Sequence, residues 1–219
     1  MKKKAIIIGN GYLPKKKQIL ILKKFDFVDI FCADGGANNL FKTKLNPQFI
    51  IGDLDSVKPE ILDYYRSKNC QIFKISSQNN TDIEKVLDYL LFNGYSEAIL
   101  FGATGDRLDH TIGNLSILIK YYERIKIHII HYNSVLSCYF GETSFKVKPG
   151  EIISFYGLDN NTKFTTKGLK YNLQNELLYL GYRESTSNEA EEEEITITSN
   201  RKYLVIRDFY RACEYDYFN

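Results

Sequence analysis

Six short apolar runs punctuate the first 130 or so residues of the chain: AIII (5–8), VDIFC (28–32), FII (49–51), QIFKI (71–75), EAILF (97–101) and KIHII (126–130). Helical spacing fills the gaps between them, and strands that alternate with helices join through right-handed crossovers into a parallel sheet with helices on both faces. The clearest crossover helix starts at TDIE (81–84) and carries Ile83, Val86, Leu87, Leu90 and Leu91 on one face. The pattern therefore predicts an open, mainly parallel α/β sheet over residues 1–132.

Beyond about residue 133 the period changes. Strand-like runs SVLSCYF (134–140), SFKV (144–147), EIISFY (151–156), ELLYL (176–180), EITIT (194–198) and KYLVI (202–206) follow one another without a long helical pattern between them. Gly and Asn turn signals separate them, which predicts a smaller all-β sandwich domain over residues 133–219. EAEEEE (189–194) reads as a solvated hairpin loop.

Composition narrows the partners. Lys and Arg exceed Asp and Glu by only two charges, so no overall field draws the chain to nucleic acid or anionic lipid. No apolar stretch approaches the roughly 20 residues a bilayer requires, and MKKK is followed by only four apolar residues before Gly9 and Asn10, so no secretory signal is expected and the cytoplasm is the default location. The four cysteines, Cys32, Cys70, Cys138 and Cys213, form no C-x-x-C pair and read as small buried hydrophobes rather than zinc ligands.

In an open parallel sheet, ligands bind beyond the carboxyl ends of the strands. Here those ends run into ADGGANNL (33–40), GDLDSV (52–57), SSQNNTD (76–82) and GATGDRLDHTIGN (102–114), which gather Asp34, Asp53, Asp55, Asp82, Asp106 and Asp109 on one rim. Alone, Asp53 and Asp55 suit turn-forming Asx hydrogen bonds. Among so many other acids their repulsion calls for a cation, and magnesium, held by one or two carboxylates together with substrate phosphates, is the natural candidate. D-x-D at a strand end suits that task, since residues i and i+2, here Asp53 and Asp55, project to the same side.

Other residues on this rim suit phosphate. Thr81 and Glu84 form a T-x-x-E capping box that explains Thr81 by itself, whereas Lys85 near a helix start is well placed beside a bound phosphate. Gly35 and Gly36 either free backbone N–H groups for an anion or make a tight turn. Arg107 can fork a phosphate, and Asp109 or His110 can orient a substrate or take part in proton transfer, with a helix expected to begin near Thr111. No P-loop is present, and GNGYLP (9–14) fails the dinucleotide pattern. His128 and His131, three apart on a strand, face opposite ways and are not expected to share a metal.

Taken in order, ADGGANNL, IGDLDSV, QNNTDIEK, GATGDRLDHTIGN, TTKGLKYNL (165–173) and STSNE (185–189) resemble thiamin pyrophosphokinases over nearly the whole chain. The resemblance implies an α/β ATP-binding domain, a C-terminal β-sandwich, a homodimer with the thiamin site between subunits, and transfer of pyrophosphate from ATP to thiamin, releasing AMP. It implies that Asp53, Asp55 and Asp82 surround Mg2+, that Gln78, Lys85 and Arg107 contact the ATP phosphates, and that Asp34 and Asp109 line the same cleft. Gly35, Gly36 and Thr81 fall in the matching ATP-site motifs, and Ser187 and Asn188 match the segment near the thiamin pyrimidine. Asn79 stands where the family often has Asp, and Asp106 replaces a frequent second Gly. Two rival readings remain: a metal-dependent nucleotide-sugar glycosyltransferase, which would use D-x-D alone, and an ATP and magnesium sensor without turnover.

Overall fold

The computed structural model describes residues 3–77, 79–105, 107–215, 217 and 218. The chain divides into two compact units, Met1–Tyr132 and Asn133–Asn219.

The first unit alternates as its apolar runs require: β1 (Lys3–Ile8), α1 (Lys16–Leu22), β2 (Phe27–Ala33), α2 (Gly36–Lys42), β3 (Phe49–Gly52), α3 (Pro59–Ser67), β4 (Gln71–Lys74), α4 (Asp82–Phe92), β5 (Tyr95–Phe101), α5 (Leu108–Lys120) and β6 (Lys126–His131). The strands lie in the order β6-β5-β1-β2-β3-β4, and every pairing is parallel. From β1 the chain moves outward through β2, β3 and β4, then returns to the other side of β1 for β5. The order therefore reverses between β1 and β5, the place where an open sheet leaves a crevice at its carboxyl edge. Ala5, Ile6, Ile7 and Ile8 of β1 are wholly buried, as a central strand covered on both faces demands.

Alternation along β2 shows how both faces are covered. Phe31 meets Tyr89 of α4, and Cys32, the next residue, turns to the opposite face beside the buried Tyr65 of α3. On α4 the predicted face docks through Ile83, Val86, Leu87 and Leu90, with Leu91 only half-buried. Its capping box is complete: Thr81 Oγ1 accepts from the Glu84 N–H, and Glu84 Oε2 accepts from the Thr81 N–H. At the far, amino edge of the sheet Glu97 of β5 is buried against His128 of β6 (2.9 Å), with Lys4 and Lys126 at 3.3 and 3.2 Å.

The second unit is antiparallel: β7 (Ser134–Lys146), β8 (Ile152–Gly157), β9 (Lys163–Lys167), β10 (Glu176–Leu177), β11 (Ser185–Glu189) and β12 (Glu194–Asp208), closed by α6 (Phe209–Glu214). Several expected runs merge. SVLSCYF and SFKV form the single strand β7, and EITIT and KYLVI form β12, whose register breaks between Ser199 and Tyr203. Before the break β12 pairs with β9, after it with β8, and on its other side it follows β7 throughout, so one strand holds three others. Between them Phe145, Phe155, Phe164, Ile195, Tyr203 and Val205 form the core. Here Arg207 and Glu151, both nearly inaccessible, pair through Nε and Nη2 at 2.9 and 3.2 Å. Only Glu176 and Leu177 of ELLYL are strand, and the acidic run is no hairpin, because β11 pairs with β8 and not with β12.

Candidate functional site

Beyond the carboxyl ends of β1, β2, β3 and β5 lies a cleft of about 610 Å³, lined by residues of the first unit alone. Its floor is backbone. The N–H groups of Gly9, Gly11 and Tyr12 donate to the carbonyls of Phe101, Gly102 and Thr104, extending the β1/β5 pairing past the strands. This close approach requires glycine, since a Cβ on Gly9 would stand 2.7 Å from the Gly102 carbonyl oxygen. GNG fails as a dinucleotide motif, and its use here lies in backbone packing.

Three carboxylates converge across this floor. Asp34, Asp53 and Asp82 each offer an oxygen within 4.8 Å of the others. Asp34 follows β2 at φ 41°, its N–H bonded to the Ile51 carbonyl, and Gly52 leaves room for it: a Cβ there would meet the Asp34 Cβ at 2.6 Å. The Ser56 N–H donates to Asp34 Oδ2 at 3.2 Å, and Oδ1 is, among the described residues, the buried side-chain polar atom with no hydrogen-bond partner. Burial pushes the Asp34 carboxyl above the usual carboxylate range, the Asp82 charge adding to the shift and the Ser56 and Gly35 bonds opposing it. A buried acid with an acceptor oxygen that no donor satisfies, facing two more acids, has the donor chemistry of a hard-cation site.

Asp55 departs from the extended D-x-D expectation. Leu54 takes φ 68°, so the chain turns between the two aspartates, and the Asp55 N–H donates back to Asp53 Oδ1 at 3.3 Å. The Asp55 carboxylate accepts instead from Ser56 Oγ at 2.8 Å, and the converging trio contains Asp34 in its place. The i, i+2 rule fails because it presumes an extended backbone.

Lys85 is the buried cation of the site, only 5% exposed at its side chain and 2.8 Å from Asp82 Oδ1. Thr81 lines the cleft while capping α4. Arg107 and Asp109 also line it but pair with each other in the open, at 2.6 Å, which holds Asp109 down at about 2. The helix behind them, α5, begins at Leu108 rather than near Thr111, so Arg107 is its N-cap residue and Asp109 lies in its first turn. His110 lines the cleft with an exposed ring. Gly35 borders it, but Gly36 packs under the Ile8 carbonyl outside the lining. Gln78 and Asp106 lie outside the described residues.

In the second unit Ser187 is exposed at φ 57°, whereas Asn188 is buried and fully engaged. Its Oδ1 accepts from the Tyr171 and Glu189 N–H groups, and its Nδ2 donates to the Tyr171 carbonyl and to Ser185 Oγ. Asn188 thus fixes the segment carrying Tyr171, a residue 65% exposed.

Residues 22–130 match the family model described as thiamin pyrophosphokinase, catalytic domain, and residues 128–204 match thiamin pyrophosphokinase, vitamin B1 binding domain. Thiamine pyrophosphokinase 1 of Oryza sativa subsp. japonica is 30% identical over 225 residues, covering 90% of this chain and 83% of that protein. The thiamin pyrophosphokinase structure from Geobacillus thermodenitrificans superposes with a TM-score of 0.77 at 27% identity, covering 94% of this chain and 97% of that one. The thiamin pyrophosphokinase structure from Candida albicans reaches a TM-score of 0.82 at 21% identity over 94% and 89% of the two chains, a likeness of fold.

Proposed function

The chain belongs to the thiamin pyrophosphokinase family, and we propose that it makes thiamin diphosphate by moving the pyrophosphoryl group of ATP onto the hydroxyl of thiamin, with Asp34, Asp53 and Asp82 holding the divalent cation that accompanies the nucleotide. The observation that carries the site assignment is the unpartnered Oδ1 of Asp34, buried within reach of two further carboxylates. An all-oxygen donor set beside phosphates fits Mg2+, which when bound would neutralise charge on the phosphate oxygens.

In this reading the hydroxyl oxygen of thiamin attacks the β-phosphorus, the bond from that phosphorus to the oxygen bridging to the α-phosphorus breaks, and AMP leaves as the hydroxyl proton is lost. Little covalent work falls to the protein, which aligns the groups and counters charge. Lys85 supplies a fixed ammonium at the α4 start, already desolvated and therefore effective. Arg107 reaches a phosphate by exchanging its exposed pairing with Asp109 for the ligand. Gln78 and Asp55 remain candidates for the phosphate and metal shells through their motif positions. The first unit takes ATP, and the second contributes thiamin contacts through Ser187, with Asn188 positioning the neighbouring chain. A homodimer and a cytoplasmic location complete the proposal; no helix among the described residues is long and apolar enough to cross a membrane.

Matches to thiamin pyrophosphokinase models in both halves of the chain leave the glycosyltransferase and sensor readings without support. Incubation with ATP, Mg2+ and thiamin should release AMP only when thiamin is present. Tight ATP binding with no AMP would refute the transfer reaction, and a monomer in sedimentation at micromolar concentration would remove the dimer.

A further inference from the structure

Among the described residues lining the cleft there is no Phe or Tyr, so its walls offer a purine no broad aromatic face. Such a face stands immediately beyond it. Tyr12 follows Gly11 of the cleft floor, and its ring lies 4.0 Å from that of Tyr132, tilted by 40°. His131 meets both edge-on, at 5.3 and 4.5 Å, and its Nδ1 is 2.6 Å from Oγ1 of Thr104, a cleft residue. The cluster is therefore tied to the cleft at two points, through the Tyr12 N–H bond to the Thr104 carbonyl and through the His131 ring.

The cluster is also held in place at a cost. Tyr132 adopts φ 50°, a conformation that side chains other than glycine avoid and that persists only where its surroundings impose it. Gln18, 2% exposed, donates from Nε2 to the Tyr132 carbonyl and fixes that turn. The result leaves the Tyr132 side of the pair 51% exposed. Ring surface that simple hydrophobic packing would have covered thus stays available to a planar ligand.

Position agrees with this use. Two of the trio, Asp34 and Asp53, follow β2 and β3, and Tyr132 follows β6, three strands from β2. With adjacent strands about 4.8 Å apart, the gap is on the order of 14 Å. That is the scale of the α-phosphate, ribose and base that trail behind a β-phosphorus held at the trio.

We infer that Tyr12 and Tyr132, braced by His131 and Gln18, form the stacking platform for the base of the nucleotide donor, an inference that rests on ATP being that donor. Stacking of a base on an aromatic ring is sequence-tolerant and substantial, so the platform sets affinity for a nucleoside triphosphate over the bare phosphate chain. The test compares wild type with Tyr132→Ala, Tyr12→Leu and the conservative Tyr132→Phe, varying ATP and using inorganic tripolyphosphate as a competitor. The KM for ATP should rise about tenfold in Tyr132→Ala and Tyr12→Leu and stay near wild type in Tyr132→Phe, with kcat within about twofold and tripolyphosphate inhibition unchanged. An unchanged KM in variants that melt like wild type would overturn the platform. So would a parallel loss of tripolyphosphate affinity, which marks a distorted rim. Wild-type protein that releases no AMP from ATP would instead overturn the donor assignment, and the platform with it.

Discussion

Replacing Asp53 with Asn should make the cation-free protein more stable and the enzyme nearly inactive. The oxygens of Asp34, Asp53 and Asp82 lie within 4.8 Å of one another, so Asp53 takes part in two of the three repulsive pairs. Even with water-like screening each pair costs about 0.9 kcal/mol at that separation, and at an effective dielectric of 20 about 3.5 kcal/mol. Since Asp53 and Asp82 are half-exposed, the lower figure governs, and loss of one charge relieves on the order of 1 to 2 kcal/mol. For a chain of 219 residues that raises Tm by roughly 2 to 8 °C. Asn keeps an acceptor oxygen for the Asp55 N–H, so the turn survives. The assay is thermal unfolding in EDTA and across a Mg2+ titration, paired with AMP release. Wild type should gain Tm with Mg2+, by about 2.7 kcal/mol of added stability at 100 times Kd, and Asp53→Asn should gain little. A variant that melts below wild type in EDTA and responds to Mg2+ like wild type would refute the metal site and leave Asp53 a turn former.

Lys85→Met should lower kcat/KM for ATP by at least about a hundredfold, the usual loss when a desolvated cation facing developing charge is removed; steady-state AMP release measures it, and values within threefold of wild type would exclude Lys85 from the phosphate site. Acid should destabilise the first unit in two steps. Burial lowers His128 to about 4 from an ordinary 6.5, against the pull of Glu97, so the unfolded chain binds the extra proton and stability falls as pH drops from 6.5 to 4. Burial would raise Glu97, but the His128 hydrogen bond and the Lys126 and Lys4 charges outweigh it and hold it at about 2, so a further loss follows below pH 4.5. Melting curves between pH 7 and 4 should show the first step in wild type and its absence in His128→Gln; identical profiles would contradict the assignment.

What the sequence disclosed was mostly local. The Thr81–Glu84 box and the apolar face of α4 depend on spacing within one helix, and both appear as read. The parallel character of the six-stranded sheet followed from alternation, whereas the order of its strands did not. The acidic rim was also legible, because parallel strands bring all their carboxyl ends to one edge. Which acids converge was not. It depends on Leu54 at φ 68°, which turns the Asp55 carboxylate away from the trio, and on Gly52, whose missing side chain admits Asp34. Nothing in the order of letters signals a left-handed leucine. Likewise Ser199 to Tyr203 reads as a gap between two strands, although hydrogen bonds to β7 on either side make it a break within one. Gln18 carried no signal either, since its importance lies in a carbonyl far along the chain.

That single long strand sets the order in which the molecule can be made. Every strand of the first unit has left the ribosome once His131 emerges, and each pairs in parallel with strands already synthesised nearby. In the second unit β7, β8 and β9 all wait for β12, with Ser134 paired to Asp208, so its nascent chain stays without its central partner until Asp208 has been made. A premature stop ahead of Glu194 would therefore leave a folded first unit attached to three unpaired strand edges, a product suited to aggregation rather than to partial activity.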